Sequence, residues 1–296
     1  MLQTLITSRD PKGLHATGLF EAVYNKSKLD EARAQWLNER GGELQDGIAK
    51  LIAELSQSNH YANEEVRSNY TYPKEYKGPK PILDQVKAIA KIFDLDPSQA
   101  RGFAKNLPVL PDDAEGWFAI PSVDALAKKH FPEVTDPAQK YCLAVQLVHA
   151  DLSSTRLFYN YREGQITPAQ LRVHARTAHA LDLIAETQKG DILIVAAQLG
   201  MRHRGKSTRR AHEVFVANEF GLGSLAVGSI VRTHPQRLLR WDELDMDCSG
   251  DEFFLGGDGG FSLAPYFSFN DGEVRFGTVW VGGAYERFGS ASGFLS

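Results

Sequence analysis

The stretch Phe261-Ser262-Leu263-Ala264-Pro265-Tyr266-Phe267-Ser268-Phe269-Asn270-Asp271-Gly272-Glu273-Val274-Arg275-Phe276-Gly277-Thr278-Val279-Trp280-Val281 holds two β-favouring runs around one Asp-Gly. Asp-Gly accepts the positive φ that a two-residue type I′ turn requires. Such a turn pairs Asn270 with Glu273. It then sets Phe269 opposite Val274 and Phe267 opposite Phe276, all on one face. Ten of the 30 aromatic residues lie between Phe253 and Phe288, so the hairpin is expected to rest on an aromatic core.

Outward from the hairpin, glycine and proline are segregated. Seventeen of the 26 glycines follow Lys189, whereas eleven of the 13 prolines precede it. Proline serves helix starts and extended connectors, glycine serves turns and bulges. The chain is therefore expected to be helical first and β-rich last.

Leu44, Ile48, Leu51, Ile52 and Leu55 recur at helical spacing, after an earlier helix around Leu29–Arg40. Pro81 starts a helix with the stripe Leu83, Val86, Ala90 and Phe93. One device then recurs: Asp96-Pro97-Ser98-Gln99, Asp136-Pro137-Ala138-Gln139 and Thr167-Pro168-Ala169-Gln170. Each offers a capping residue, a proline for the first turn and a glutamine that can reach back, so each predicts a helix start. Ser56–Lys80 and Asn106–Pro121 read as linkers. Ile192–Ala197 predicts a buried strand, Ser207–Phe220 a helix and Leu225–Val231 a second strand, which together make a βαβ unit. The expectation is an α+β chain. Residues 1–105 form a helical domain, 106–135 an extended linker with a short helix, and 136–296 an α+β domain. That last domain holds the βαβ element and the antiparallel aromatic hairpin.

Composition excludes several classes. Apolar residues are 43% and charged residues 24%, which suits a globular protein and not a disordered one. The net charge of -4 argues against a chain coated in nucleic acid. Cys142 and Cys248 are too few for a disulfide framework or a tetrahedral zinc site, which points to a reducing cytoplasmic setting. Arg9 and Asp10 interrupt the apolar start, so no secretory signal is expected, and no run reaches the length of a membrane span.

Gly200-Met201-Arg202-His203-Arg204-Gly205-Lys206-Ser207 matches the phosphate-binding loop G-x-x-x-x-G-K-[ST]. In that reading Gly200 and Gly205 shape the loop, Lys206 reaches the β/γ oxygens and Ser207 ligates magnesium. Bulky Met201, Arg202, His203 and Arg204 oppose it, as does the lack of an apolar run ending in aspartate. A broader reading takes Arg202, Arg204, Lys206, Arg209 and Arg210 as an anion site at a helix start, for nucleic acid or another polyanion. The alternative is a solvated turn, or one neutralised by the acidic segment Asp242–Glu252.

Within that acidic segment, Asp245, Asp247 and Ser249 with Gly250 match the first half of a calcium loop. The twelfth position is Gly256, where a bidentate glutamate belongs; Asp258 is the substitute from an irregular loop. A polar turn is the preferred reading. His174 and His179 are five apart and do not share a helix face, and His149 and Asp151 diverge. Cys142 reads as a buried structural thiol and Cys248, among acids, as a poor nucleophile. Tyr70–Lys80 interleaves tyrosine and lysine but reads as a connector.

Three functions follow. The leading one is a non-catalytic protein that binds a polyanion through Arg202–Arg210, with no cofactor and no membrane partner. The second is an NTP-binding enzyme using the phosphate-loop match. The third is a structural or protein-interaction module.

Overall fold

The computed structural model describes residues 8–56, 59–257 and 260–296. The chain is mixed α+β, with helices mostly in its N-terminal half and strands mostly in its C-terminal half. It divides into two units, Met1–Gln57 and Ser58–Ser296. The first unit holds α1 (Pro11–Lys26), α2 (Glu31–Glu39) and α3 (Gly41–Ser56). Asp30 caps α2 by accepting from the Arg33 amide at 2.8 Å.

The second unit runs α4 (Ile82–Phe93), α5 (Ser98–Phe103), β1 (Gly116–Pro121), α6 (Val123–His130), α7 (Pro137–Thr155), β2 (Phe158–Asn160) and β3 (Leu171–Val173). It continues with α8 (Ala175–Gln188), β4 (Ile192–Arg204), α9 (Thr208–Val214), β5 (Glu219–Gly221) and α10 (Ser224–Thr233). The last strands are β6 (Asp245–Asp247), β7 (Asp251–Phe253), β8 (Leu263–Asn270), β9 (Glu273–Trp280) and β10 (Phe288–Phe294). One mixed sheet joins them in the order β1-β4-β10-β6-β8-β7-β3, with β5 on β10, β9 on β8 and β2 on β9.

The hairpin takes the expected register, Asn270 with Glu273, Phe269 with Val274 and Phe267 with Phe276. Asp271 and Gly272 have φ of 49° and 82°, the left-handed pair that the turn demands. Phe267, Val274 and Phe276 are fully buried; α10 packs on β8, and His149 of α7 contacts the Phe267 and Phe276 rings. Gly228 of α10 lets the helix approach closely: a Cβ there would lie 2.9 Å from Val148 and 3.2 Å from the Phe267 ring. The space around Gly272 is open. Gly272→Val therefore costs only backbone strain, about 1–3 kcal/mol, and thermal denaturation of the variant checks it.

Asp136 caps α7 through the Gln139 amide at 2.8 Å, as its sequence device predicts. The third device behaves differently. Thr167 accepts from the Gln170 and Leu171 amides in a turn, Leu171–Val173 is a strand, and α8 begins only at Ala175 behind its cap His174. Cap and turn chemistry use the same side chains, so the signal marked a turn. Leu225–Val231 is helical, not a strand, so the βαβ element does not form there. Nine of the ten residues of α10 are buried, so its run Leu225–Val231 reads as a buried strand as readily as a buried helix. Residues 106–135 hold β1, whose register places Phe118 opposite Val195 in the sheet, instead of an inter-domain connector. No described helix is long and apolar enough to cross a membrane.

Candidate functional site

Continuous burial makes β4 a central strand from Ile192 to Leu199, and the strand runs on to Arg204. The residues of the phosphate-loop match are thus extended up to Gly205. Gly200 has φ of 114° and crosses Gly289 so closely that a Cβ would lie 2.8 Å from the Gly289 oxygen. Gly205, at φ 75°, abuts the Val66 carbonyl.

The amides that would cradle phosphate are already bonded. Gly200 N and Arg202 N donate to Gln198 Oε1, and Met201 N to the Tyr72 hydroxyl. Gly205 N donates to Phe288 O, Lys206 N to His203 O and Ser207 N to Glu64 O. Ser207 is buried; its hydroxyl donates to Glu64 Oε2 at 2.6 Å and caps α9 through the Arg210 amide. The loop geometry and the magnesium ligand of the nucleotide reading are therefore absent from this segment.

The basic residues meet the chain's own acceptors. Arg202 pairs with Asp113 and Glu219, Lys206 with Glu65 at 3.8 Å, and Arg209 with Glu64. Arg210 pairs with Glu65 and, at 2.9 Å, with Glu213. Arg204 donates to the Tyr70 carbonyl at 3.1 Å. The Arg209 guanidinium, by hydrogen bond, holds the Glu64 carboxyl below its ordinary range despite partial burial. The carboxylates come from 64–65, 113, 213 and 219, not from Asp242–Glu252 as the sequence suggested. The helix they open, α9, has only seven residues.

Beneath the loop lies a buried network that sequence reading missed. Glu219 accepts from His203 Nε2 and Ser292 Oγ, each at 2.6 Å, and Gln198 bonds Ser292 at 2.8 Å. Burial pushes Glu219 up, but His203, Ser292 and Arg202 outweigh it and hold the carboxyl below its usual range. Burial lowers the His203 pKa against the pull of Glu219. The carboxylate stands between serine and histidine, so the imidazole cannot take the serine proton as a catalytic triad requires. Nearby, the His174 and His212 rings meet edge to face at 4.5 Å between centres, and burial brings His212 down to about 4.

Asp245 and Asp247 lie on strand β6, not in a calcium loop. Asp245 pairs with Arg287 at 2.7 Å, while the Ser249 hydroxyl donates to Ala291 O at 2.7 Å, so the three do not converge on an ion. Asp258 lies outside the described residues. No group of three or more His, Cys, Asp or Glu could hold a metal among the described residues. Cys142 and Cys248 are buried, and burial pushes the Cys142 thiol up to about 12. Searches against protein-family models, curated proteins and solved structures return no match to this chain.

Proposed function

We propose that this chain is a non-catalytic protein-interaction module, and that its N-terminal helical unit associates with a second copy of itself. The observation that carries this is the unburied apolar surface of that unit. Among its described residues none is buried. Leu44, Ile48, Leu51 and Leu55 alternate at spacings of four, three and four, the seam of a two-heptad coiled coil. Leu51 is 43% exposed and Leu55 78%. On α1, Leu19, Phe20, Val23 and Tyr24 share one exposed face, and Trp36 stands exposed on α2. Burying each large side chain is worth about 1.5–3 kcal/mol, which a partner surface would supply.

The charge of the unit selects the partner. Between residues 8 and 56, seven basic and eight acidic side chains are interspersed. A near-neutral mixture offers nothing to nucleic acid or an anionic membrane, but it suits a self-complementary contact. The two free buried thiols fit a reducing compartment, the cytoplasm. The ion pairs around Arg202–Arg210 weigh against the polyanion reading of that loop.

Light scattering on the full chain over a concentration series tests the proposal. We expect a dimer that Leu51→Asp with Leu55→Asp returns to monomer, with the circular dichroism of the sheet unit unchanged. A monomer at every concentration would overturn it. Salt-sensitive oligonucleotide binding, lost in Arg204→Glu with Arg209→Glu, would instead restore the polyanion reading.

A further inference from the structure

The sheet unit holds a half-open cavity of about 220 Å³ that the interaction reading does not use. Its walls are chiefly apolar: Leu181 and Ala185 from α8, Leu193 from β4, Ile120 from β1, Leu225 and Ala226 from α10. The floor is fixed. Tyr141, which also lines it, donates its hydroxyl to the buried Asp251 at 2.7 Å, and Asp251 accepts from the Ser224 amide at 2.6 Å. An apolar cavity of about 150 Å³ stays dry and takes benzene. This one is large enough for a single ring with a substituent, or for a short acyl chain.

The polar contact is at one edge. Lys140 lines the cavity, its side chain only 24% exposed, and its ammonium lies 3.2 Å from Asp124 Oδ1. The Asp124 side chain is 85% exposed. The lysine stem is therefore part of the wall, while its partner is a solvent-facing carboxylate that an incoming anion can replace. Asp124 and Asp182 both line the cavity as well, and both are exposed, so Lys140 is the one cation among its described lining residues. Buried apolar volume beside one half-buried cation is the complement of an amphipathic anion.

We infer that this cavity binds a small amphipathic carboxylate, its apolar body among Leu181, Leu193 and Leu225 and its carboxylate on the Lys140 ammonium. All of the lining residues named belong to the second unit, Ser58–Ser296. A charge-assisted hydrogen bond here makes the carboxylate about tenfold tighter than its neutral counterpart.

Calorimetry with the full chain uses four probes: hexanoate and benzoate, each beside its alcohol, hexanol and benzyl alcohol. The chain and ring arms decide which body the cavity takes. At least one carboxylate should bind, about tenfold tighter than its alcohol. Lys140→Met should erase that preference while the alcohol binds as before. Ala185→Phe fills the cavity from α8 and should abolish binding of both members of the pair. Ala178→Phe, at another lining position of the same helix, is the second filling variant should the first fail to fold. The inference is overturned if no probe binds at millimolar concentration. It is equally overturned if Lys140→Met keeps the carboxylate preference, or if a folded filling variant binds as tightly as the parent.

Discussion

Replacing Arg237 with alanine is expected to remove about 3–5 kcal/mol of folding stability, from two buried carbonyls left without donors and the cavity the side chain vacates. Arg237 is the largest fully buried side chain in the chain's described part. Its two terminal nitrogens donate to Leu244 O at 2.7 Å and Leu199 O at 2.8 Å. They tie the segment before β6 to the centre of β4. The guanidinium also lies 4.0 Å from the centre of the Tyr72 ring. Alanine leaves two carbonyls unbonded in a dry interior and opens a cavity beneath the tyrosine. Lysine keeps the charge but has no planar fork to span both carbonyls, so Arg237→Lys should recover only part of the loss. Urea denaturation checks this. An unfolding free energy for Arg237→Ala within about 1 kcal/mol of the parent would mean that the carbonyls find other donors.

Tyr72 belongs to the segment that the sequence presents as a linker. Its polar, tyrosine-rich composition is that of a connector, and nothing local says what it touches. In the fold, residues 64–76 form a strap on the sheet unit. Leu244 N donates to Thr71 O at 3.0 Å, Val66 N to Gly205 O at 2.8 Å, and Lys206 bridges to Glu65. The strap also carries Glu64 and Glu65, two of the acids that neutralise the basic loop. They are 145 residues from Arg209 and Arg210. A charge cluster announces itself in a sequence, whereas its partner at that distance does not. The net charge of -4 was the available hint that acids elsewhere would answer the cluster.

The hairpin was legible for the opposite reason. Turn chemistry at Asp271-Gly272 and the alternation beside it act within a few residues, so local rules decide register. The Asp136 cap is equally local. Leu225–Val231 lies between these cases. Its apolar run is plain, but strand and buried helix share that pattern, and only Gly223, which lets α10 start against Tyr141 and Asp251, separates them. A Cβ at Gly223 would lie 2.4 Å from the Tyr141 hydroxyl. The buried polar network was not legible at all. Gln198, His203, Glu219 and Ser292 come from three strands that meet only in the folded sheet.

That polar interior should shape stability against pH. Asp247 is buried, one of its oxygens has no hydrogen-bond partner, and burial with Asp245 nearby raises its pKa to about 8. Burial raises Asp245 to about 7 despite Arg287. In the unfolded chain an aspartate titrates near 3.9. Between about pH 4 and pH 8 the folded protein holds a proton on Asp247 that the unfolded chain has released. Stability from this group is complete below about pH 4 and is lost as pH rises, by up to about 1.4 kcal/mol per unit. Buried His149, at about 3, and His212 and His234, at about 4, have the reverse sign. The fold keeps them neutral, so their contribution is lost as pH falls below about 6.5. Histidines and aspartates offset each other on the acid side, and above about pH 6.5 the histidines no longer contribute. From pH 6 to pH 8 the parent protein should lose about 2 kcal/mol through Asp247. Asp247→Asn keeps the shape and cannot ionise, so its decline over the same interval should be shallower by that amount. Urea denaturation of both proteins at pH 6, 7 and 8 measures the difference. Parallel pH profiles would show that Asp247 is ionised in the fold and that a cation compensates it.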